Sequence, residues 1–327
     1  MRRLLGLVVA AVVVAMTLFA ALTVTPALGN HVQCGDTITQ NTKLDSDLID
    51  CPGDGIVIGA DNITLDLNGH PIDGDESGSY KQGIHNGAGE DAVTVKGPGV
   101  IQGFAYGVAL TNASDNVVRG IVASHNGFGI RLEGHTAINN LIVQNFVSDN
   151  EYGVYMTDEY ALNVEAGNNQ VQGNSLSANL YGIVLSGEGN GNVISHNKLY
   201  QNGNGILLSD SFGRTLVSKN DVSRNDTGID SIELQNSRIE KNQVVDNRGI
   251  GIGIDEFDDR NNVIEGNVAS RNARDGIVVF RDNTVRRNTA NENGDLGIDA
   301  QPGVIDGGGN RAFGNGNPLQ CLNVACK

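Results

Sequence analysis

Tryptophan is absent from this 327-residue chain, prolines number only six, and the four cysteines lie near the two ends, at Cys34 and Cys51 and at Cys321 and Cys326. With 44 glycines and abundant asparagine, this composition argues for many short strands and turns in place of helices. Positive charge is scarce: 22 basic residues face 38 acidic ones, a formal net charge of −16. Such a surface repels nucleic acid and anionic membrane, and it also repels an acidic polysaccharide unless a cation or local arginines intervene. Nothing after the first 29 residues is apolar for long enough to cross a bilayer. The sequence also lacks a nucleophile elbow, a phosphate loop and a metalloprotease helix.

What is present begins with Arg2-Arg3, an apolar run from Leu4 to Leu22, and small residues at Ala27 and Gly29. Residues 1–29 read as a secretory signal peptide cleaved before Asn30, an uncleaved anchor being the alternative. The expected location is secreted or extracytoplasmic, extracellular or periplasmic, with no membrane contact after cleavage. In an oxidising compartment an even number of cysteines favours disulfides, and the two local bridges, Cys34 with Cys51 and Cys321 with Cys326, need no contact between distant ends.

A Gly-aliphatic pair recurs at Gly55, Gly83, Gly107, Gly129, Gly153, Gly182, Gly205, Gly228, Gly251, Gly276 and Gly297, at intervals of 21 to 29 residues. Within the units asparagines fall five apart, as in Asn140, Asn145, Asn150 and Asn192, Asn197, Asn202. An aliphatic residue follows two positions after the first asparagine, for example Ile142 and Ile194. Each unit therefore supplies three short strands that cannot bury an apolar face alone, and stacking the units makes a continuous core. The fold class this implies is all-β, a single-stranded right-handed parallel β-helix of about ten rungs over 55–300, with disulfide-bonded caps at 30–54 and 301–327. The asparagines are expected at the turns, where they tolerate left-handed conformations and can form amide ladders.

The run from Asn192 to Leu208 resembles the repeat of the pectate-lyase-like parallel β-helix superfamily. The stretch Asn62-Ile-Thr-Leu-Asp-Leu-Asn-Gly-His-Pro-Ile-Asp73 is similar to the first rungs of secreted carbohydrate-acting β-helix proteins and of NosD-like periplasmic proteins linked to copper-site assembly. The resemblance implies a polysaccharide-binding or polysaccharide-modifying protein (lyase, hydrolase or epimerase, if an enzyme). The alternative is a non-catalytic structural or accessory solenoid, including a NosD-like role in metal-site maturation. An alginate-epimerase Asp-Pro-His-Asp run and the polygalacturonase Asn-Thr-Asp run are both missing.

Candidate ligand-binding residues gather in the loops after the Gly-Ile-x-Leu strands. The unit at Gly153 carries an insertion with Asp158 and Glu159, and later rungs add Asp210 and the run Asp255, Glu256, Asp258, Asp259. Clustered carboxylates are hard oxygen ligands, so Asp255, Asp258 and Asp259 are the candidate Ca²⁺ ligands. Solvated surface charge is the plainer reading of the same residues. Tyr155 and Arg131 are expected to face outward beside the insertion, and an extracellular polysaccharide is the expected partner. An aromatic column at Tyr106, Phe128, Tyr152 and Tyr181 reads as corner stacking, and a basic column runs through His196, Lys219, Lys241 and Arg287. The six histidines show no paired metal-ligand spacing.

Overall fold

A computed structural model describes residues 31–76, 80–157, 167–187, 189–211, 213–255 and 259–327. The signal-peptide segment, together with Asp158, Glu159, Glu256 and Asp258, lies outside the described residues. From His31 onward the chain forms one compact unit. It is all strand and turn, coiled into three parallel sheets of 13, 12 and 12 strands. Every third strand in sequence is a neighbour within one sheet, which is the signature of a β-helix with three faces per turn.

About twelve turns result, against the ten or so expected from the glycine count. The additional ones are at the ends. Strands Asp36–Ile38, Thr42–Lys43 and Leu48–Cys51 make a first turn that lacks the Gly-aliphatic opening. Strands Ile305–Gly308, Arg311–Phe313 and Cys321–Leu322 complete the other end. Cys34 is bonded to Cys51 and Cys321 to Cys326, closing both ends locally.

The inward columns follow the sequence pattern. Val108, Ile130, Val154, Ile183, Ile206, Ile229 and Ile252 are paired in register through the first sheet, and all seven are fully buried. Val118, Ile142, Val171, Ile194, Val217 and Ile239 form the matching column of the second. The opening glycines are there for close approach: a Cβ on Gly182 would stand 2.5 Å from the Gly205 carbonyl oxygen and 2.9 Å from Leu199.

The asparagines form buried ladders, but they are not the left-handed residues. Positive φ belongs to the residue before each one, at Gln144, His196, Lys219, Arg224, Lys241 and Asp246 among others. The left-handed residue turns the chain and points outward; the asparagine after it points in. Asn220 shows the pattern. Its Oδ1 accepts from the Asn197 N–H (3.0 Å) and Nδ2 (3.1 Å), and its Nδ2 donates to Asn242 Oδ1 (3.0 Å) and the Ile194 carbonyl (2.9 Å).

Candidate functional site

Six consecutive strands of the first sheet are six residues long: Tyr106–Thr111, Phe128–Glu133, Tyr152–Thr157, Tyr181–Ser186, Asn204–Ser209 and Thr227–Ile232. At a strand spacing of about 4.8 Å they make a regular platform roughly 24 Å across. Alternation turns one residue of each strand outward between two buried ones. In register these are Ala109, Arg131, Tyr155, Val184, Leu207 and Asp230, of which Ala109 and Val184 are buried and the other four half-buried.

Arg131 and Tyr155 are thus direct neighbours on this face. The aromatic column runs beside them, with ring centroids 5.2 Å apart for Tyr106 and Phe128, 4.6 Å for Phe128 and Tyr152, and 5.0 Å for Tyr152 and Tyr181. These rings are half-buried and stacked on one another, so corner stacking holds and their faces are largely occupied by neighbouring rings. Burial raises the Tyr152 phenol above its ordinary range, with Glu151 adding to the effect. Tyr155 meets Phe128 and Tyr152 edge-on, at 5.3 and 5.2 Å. The Arg131 guanidinium lies 5.0 Å from the Tyr106 ring centroid and 5.3 Å from that of Phe128, and pairs with Glu133 at 3.0 Å. A cation held between rings and a carboxylate is pre-positioned.

The far end of the platform is acidic. Asp230 is half-buried, and burial, then the nearby charge of Asp255, raises its carboxyl above the usual carboxylate range. Its Oδ1 lies 2.9 Å from where a Cβ on Gly253 would be, so the missing side chain leaves it room. Asp259, only 4% exposed, faces inward. Its carboxylate accepts from the Ser231 hydroxyl (2.6 Å), the Asp255 N–H (2.7 Å) and the Leu234 N–H. Burial pushes it up to about 6 against the pull of those donors. Asp259 therefore pins the start and end of its own loop, and Asp210 sits apart as an exposed left-handed turn residue. Among the described residues no group of three His, Cys, Asp or Glu side chains could hold a metal ion.

One pair escaped the sequence reading. His85 occupies the outward column two rungs before Arg131, and its Nδ1 lies 2.7 Å from Asp54 Oδ2. Asp54 Oδ1 in turn accepts from the Gln82 N–H at 2.9 Å. The two residues are 31 positions apart, so only the coiling of the chain brings them together.

Comparison with known proteins adds the family. The profile described as periplasmic copper-binding protein (NosD) matches residues 34–216, and that described as right handed beta helix region matches 161–317. Sequence comparison with curated proteins finds no match. Among solved structures, the catalytic domain of a GH87 alpha-1,3-glucanase in complex with tetrasaccharides aligns with a TM-score of 0.65 and 14% identity, over 85% of this chain and 63% of that one. The GH87 alpha-1,3-glucanase of Streptomyces thermodiastaticus aligns with a TM-score of 0.54 and 16% identity, over 86% and 62%. The periplasmic alginate epimerase AlgG aligns with a TM-score of 0.50 and 16% identity, over 88% and 74%. The chain spans less than two thirds of both glucanase structures, and at these identities the likeness is one of fold.

Proposed function

The chain belongs to the family described as periplasmic copper-binding protein (NosD), built on the right-handed β-helix, and we propose that it is an extracytoplasmic polysaccharide-binding protein. The ligand lies along the six-stranded platform of the first sheet. The observation that carries this reading is the adjacency of Arg131 and Tyr155 on that face, fixed by the stacked rings beside them. Rigid scaffolds that present hydrogen-bonding and aromatic side chains in a row suit an extended glycan better than a small molecule. The similar folds of two glucanases and an alginate epimerase agree with this choice of ligand class. Disulfides at both ends fit an oxidising, extracytoplasmic setting.

If the protein also modifies its glycan, the Asp230 end is where acid–base chemistry belongs. There a carboxyl that burial and the charge of Asp255 raise above the usual carboxylate range stands near that second carboxylate, and two carboxyl groups in unlike settings can divide acid and base roles. Copper fits less well. All four cysteines are in disulfides, Met156 is buried in the core, and among the described residues no three His, Cys, Asp or Glu side chains gather to hold a metal ion. A role with copper thus rests on the family description alone.

Calorimetry with neutral glucan and polyuronate oligosaccharides tests the proposal. One of them should bind, and Tyr155→Ala or Arg131→Gln should weaken it roughly tenfold or more with little change in melting temperature. A salt-insensitive binding component that ignores both substitutions, or no such component with either class, would overturn the reading.

A further inference from the structure

Against a net charge of −16, basic side chains collect along the corner between the second and third sheets. Lys219, Lys241 and Arg287 are exposed left-handed turn residues there, with φ of 57°, 56° and 58°. The ladder residues that follow them, Asn220, Asn242 and Asn288, point into the core, so these three point out.

Two carboxylates organise the cations. Glu265, with its side chain only 12% exposed, takes Arg238 Nη2 at 3.0 Å, Arg286 Nη2 at 2.8 Å and Arg287 Nη1 at 3.0 Å. Glu240 takes Arg238 at 2.7 Å and Lys241 at 3.5 Å. Four cations around two anions leave positive charge over, and Lys219 extends it by one rung toward the N-terminus. Guanidiniums already held by a carboxylate lose less freedom when they bind a second anion.

We propose that this ridge is a second binding surface, separate from the first-sheet platform, and that it takes a linear acidic polysaccharide of the polyuronate type. Successive rungs are about 4.8 Å apart, on the order of one pyranose residue, so carboxylates along one side of a uronan chain can meet Lys219, Lys241 and, past the rung where Gly266 takes the position, Arg287. The row is one side chain wide, with Asp221 at the start of the adjoining third-sheet strand, a width that suits a single glycan strand better than a planar anionic membrane. Local arginines also answer the repulsion that the overall charge imposes on an acidic polymer.

The test is binding of polygalacturonate oligosaccharides to the whole protein, with a neutral glucan and a single-stranded oligonucleotide in parallel. The expected result is a polyuronate-binding component that weakens as salt is raised and that neither the neutral glucan nor the oligonucleotide shows, whatever the platform itself binds. Lys219→Glu, Lys241→Glu and Arg287→Glu combined should reduce the affinity roughly tenfold or more, because charge reversal replaces attraction by repulsion. Glutamate is tolerated at such turns, since Glu233 and Glu292 already occupy them at φ 61° and 57°, and an unchanged circular dichroism spectrum verifies the fold. Tyr155→Ala should leave this salt-sensitive component in place, which separates the ridge from the platform. The inference fails if the triple variant binds polyuronate as tightly as the parent, if the triple substitution weakens neutral-glucan binding equally, or if the oligonucleotide binds as tightly.

Discussion

Replacing Asn220 by alanine isolates the contribution of one ladder rung. The side chain makes four hydrogen bonds, all buried, to Asn197, Asn242 and Ile194. Truncation does not strand every partner. Asn197 Nδ2 keeps the Val171 carbonyl at 2.8 Å, and Asn242 Oδ1 keeps the Asn220 N–H at 3.0 Å. The Asn197 N–H and one lone pair of the Ile194 carbonyl lose their partner outright. A buried donor left unsatisfied costs about 1–3 kcal/mol and the carbonyl somewhat less, so the expected loss is about 2–4 kcal/mol.

A stacked array need not unfold in one step, so the loss is best read locally by hydrogen exchange. Protection of the Asn197 amide and of amides in strand Leu216–Ser218 should fall roughly 30- to 700-fold, that range being the same free energy expressed as an opening equilibrium. Asn220→Ser should cost less than Asn220→Ala. The first ladder already shows why: Ser237 Oγ accepts from the Thr215 N–H at 3.0 Å and donates to the Gly213 carbonyl at 2.9 Å. Protection in Asn220→Ala equal to that of the parent, or a serine variant worse than alanine, would refute the accounting.

Gly182→Ala should destabilise by about 1–3 kcal/mol in urea unfolding, because its Cβ meets a backbone oxygen that cannot move without disturbing the next rung. Asp259 should titrate near 6 in a carboxyl NMR experiment, with that signal lost in Asp259→Asn; a midpoint near 4 would show that the three donors outweigh burial. Because its folded pKa is raised above the ordinary 3.8, the stability it contributes is full below about pH 4 and is lost as pH rises through about 6.

The repeat was legible because one Gly-aliphatic pair and asparagines five apart recur in nearly every unit, and both are demanded by geometry repeated at every turn. The ends were less legible. The first turn keeps a glycine at the opening, Gly35, but follows it with Asp36 where later units have an aliphatic residue, so the Gly-aliphatic pair does not mark it. At the candidate site, strand alternation sufficed to set Arg131 and Tyr155 side by side. Alternation could not orient Asp259, which lies in a loop, and there the Ser231 hydroxyl and two backbone N–H groups drew the carboxylate inward. Nor could spacing reveal Asp54 with His85, since the length of one particular turn decides which residues meet across it.

The one-residue shift between the left-handed position and the ladder position has a wider consequence. If asparagine itself had supplied the left-handed turn, stability and surface chemistry would share one residue. Here they are divided: the inward residue is asparagine at nearly every corner of the second sheet, while the outward one is Gln144, His196, Lys219, Lys241 or Arg287. A left-handed conformation costs each of these non-glycine residues about 1–2 kcal/mol. Glycine would remove that cost and does so at Gly173 and Gly266 in the same column. Left-handed non-glycine residues stand at the other corners as well, for example Ala178, Arg224 and Asp246 before Asn179, Asn225 and Asn247, so the outward side chain is free to vary at every corner while the ladder holds the inward asparagine.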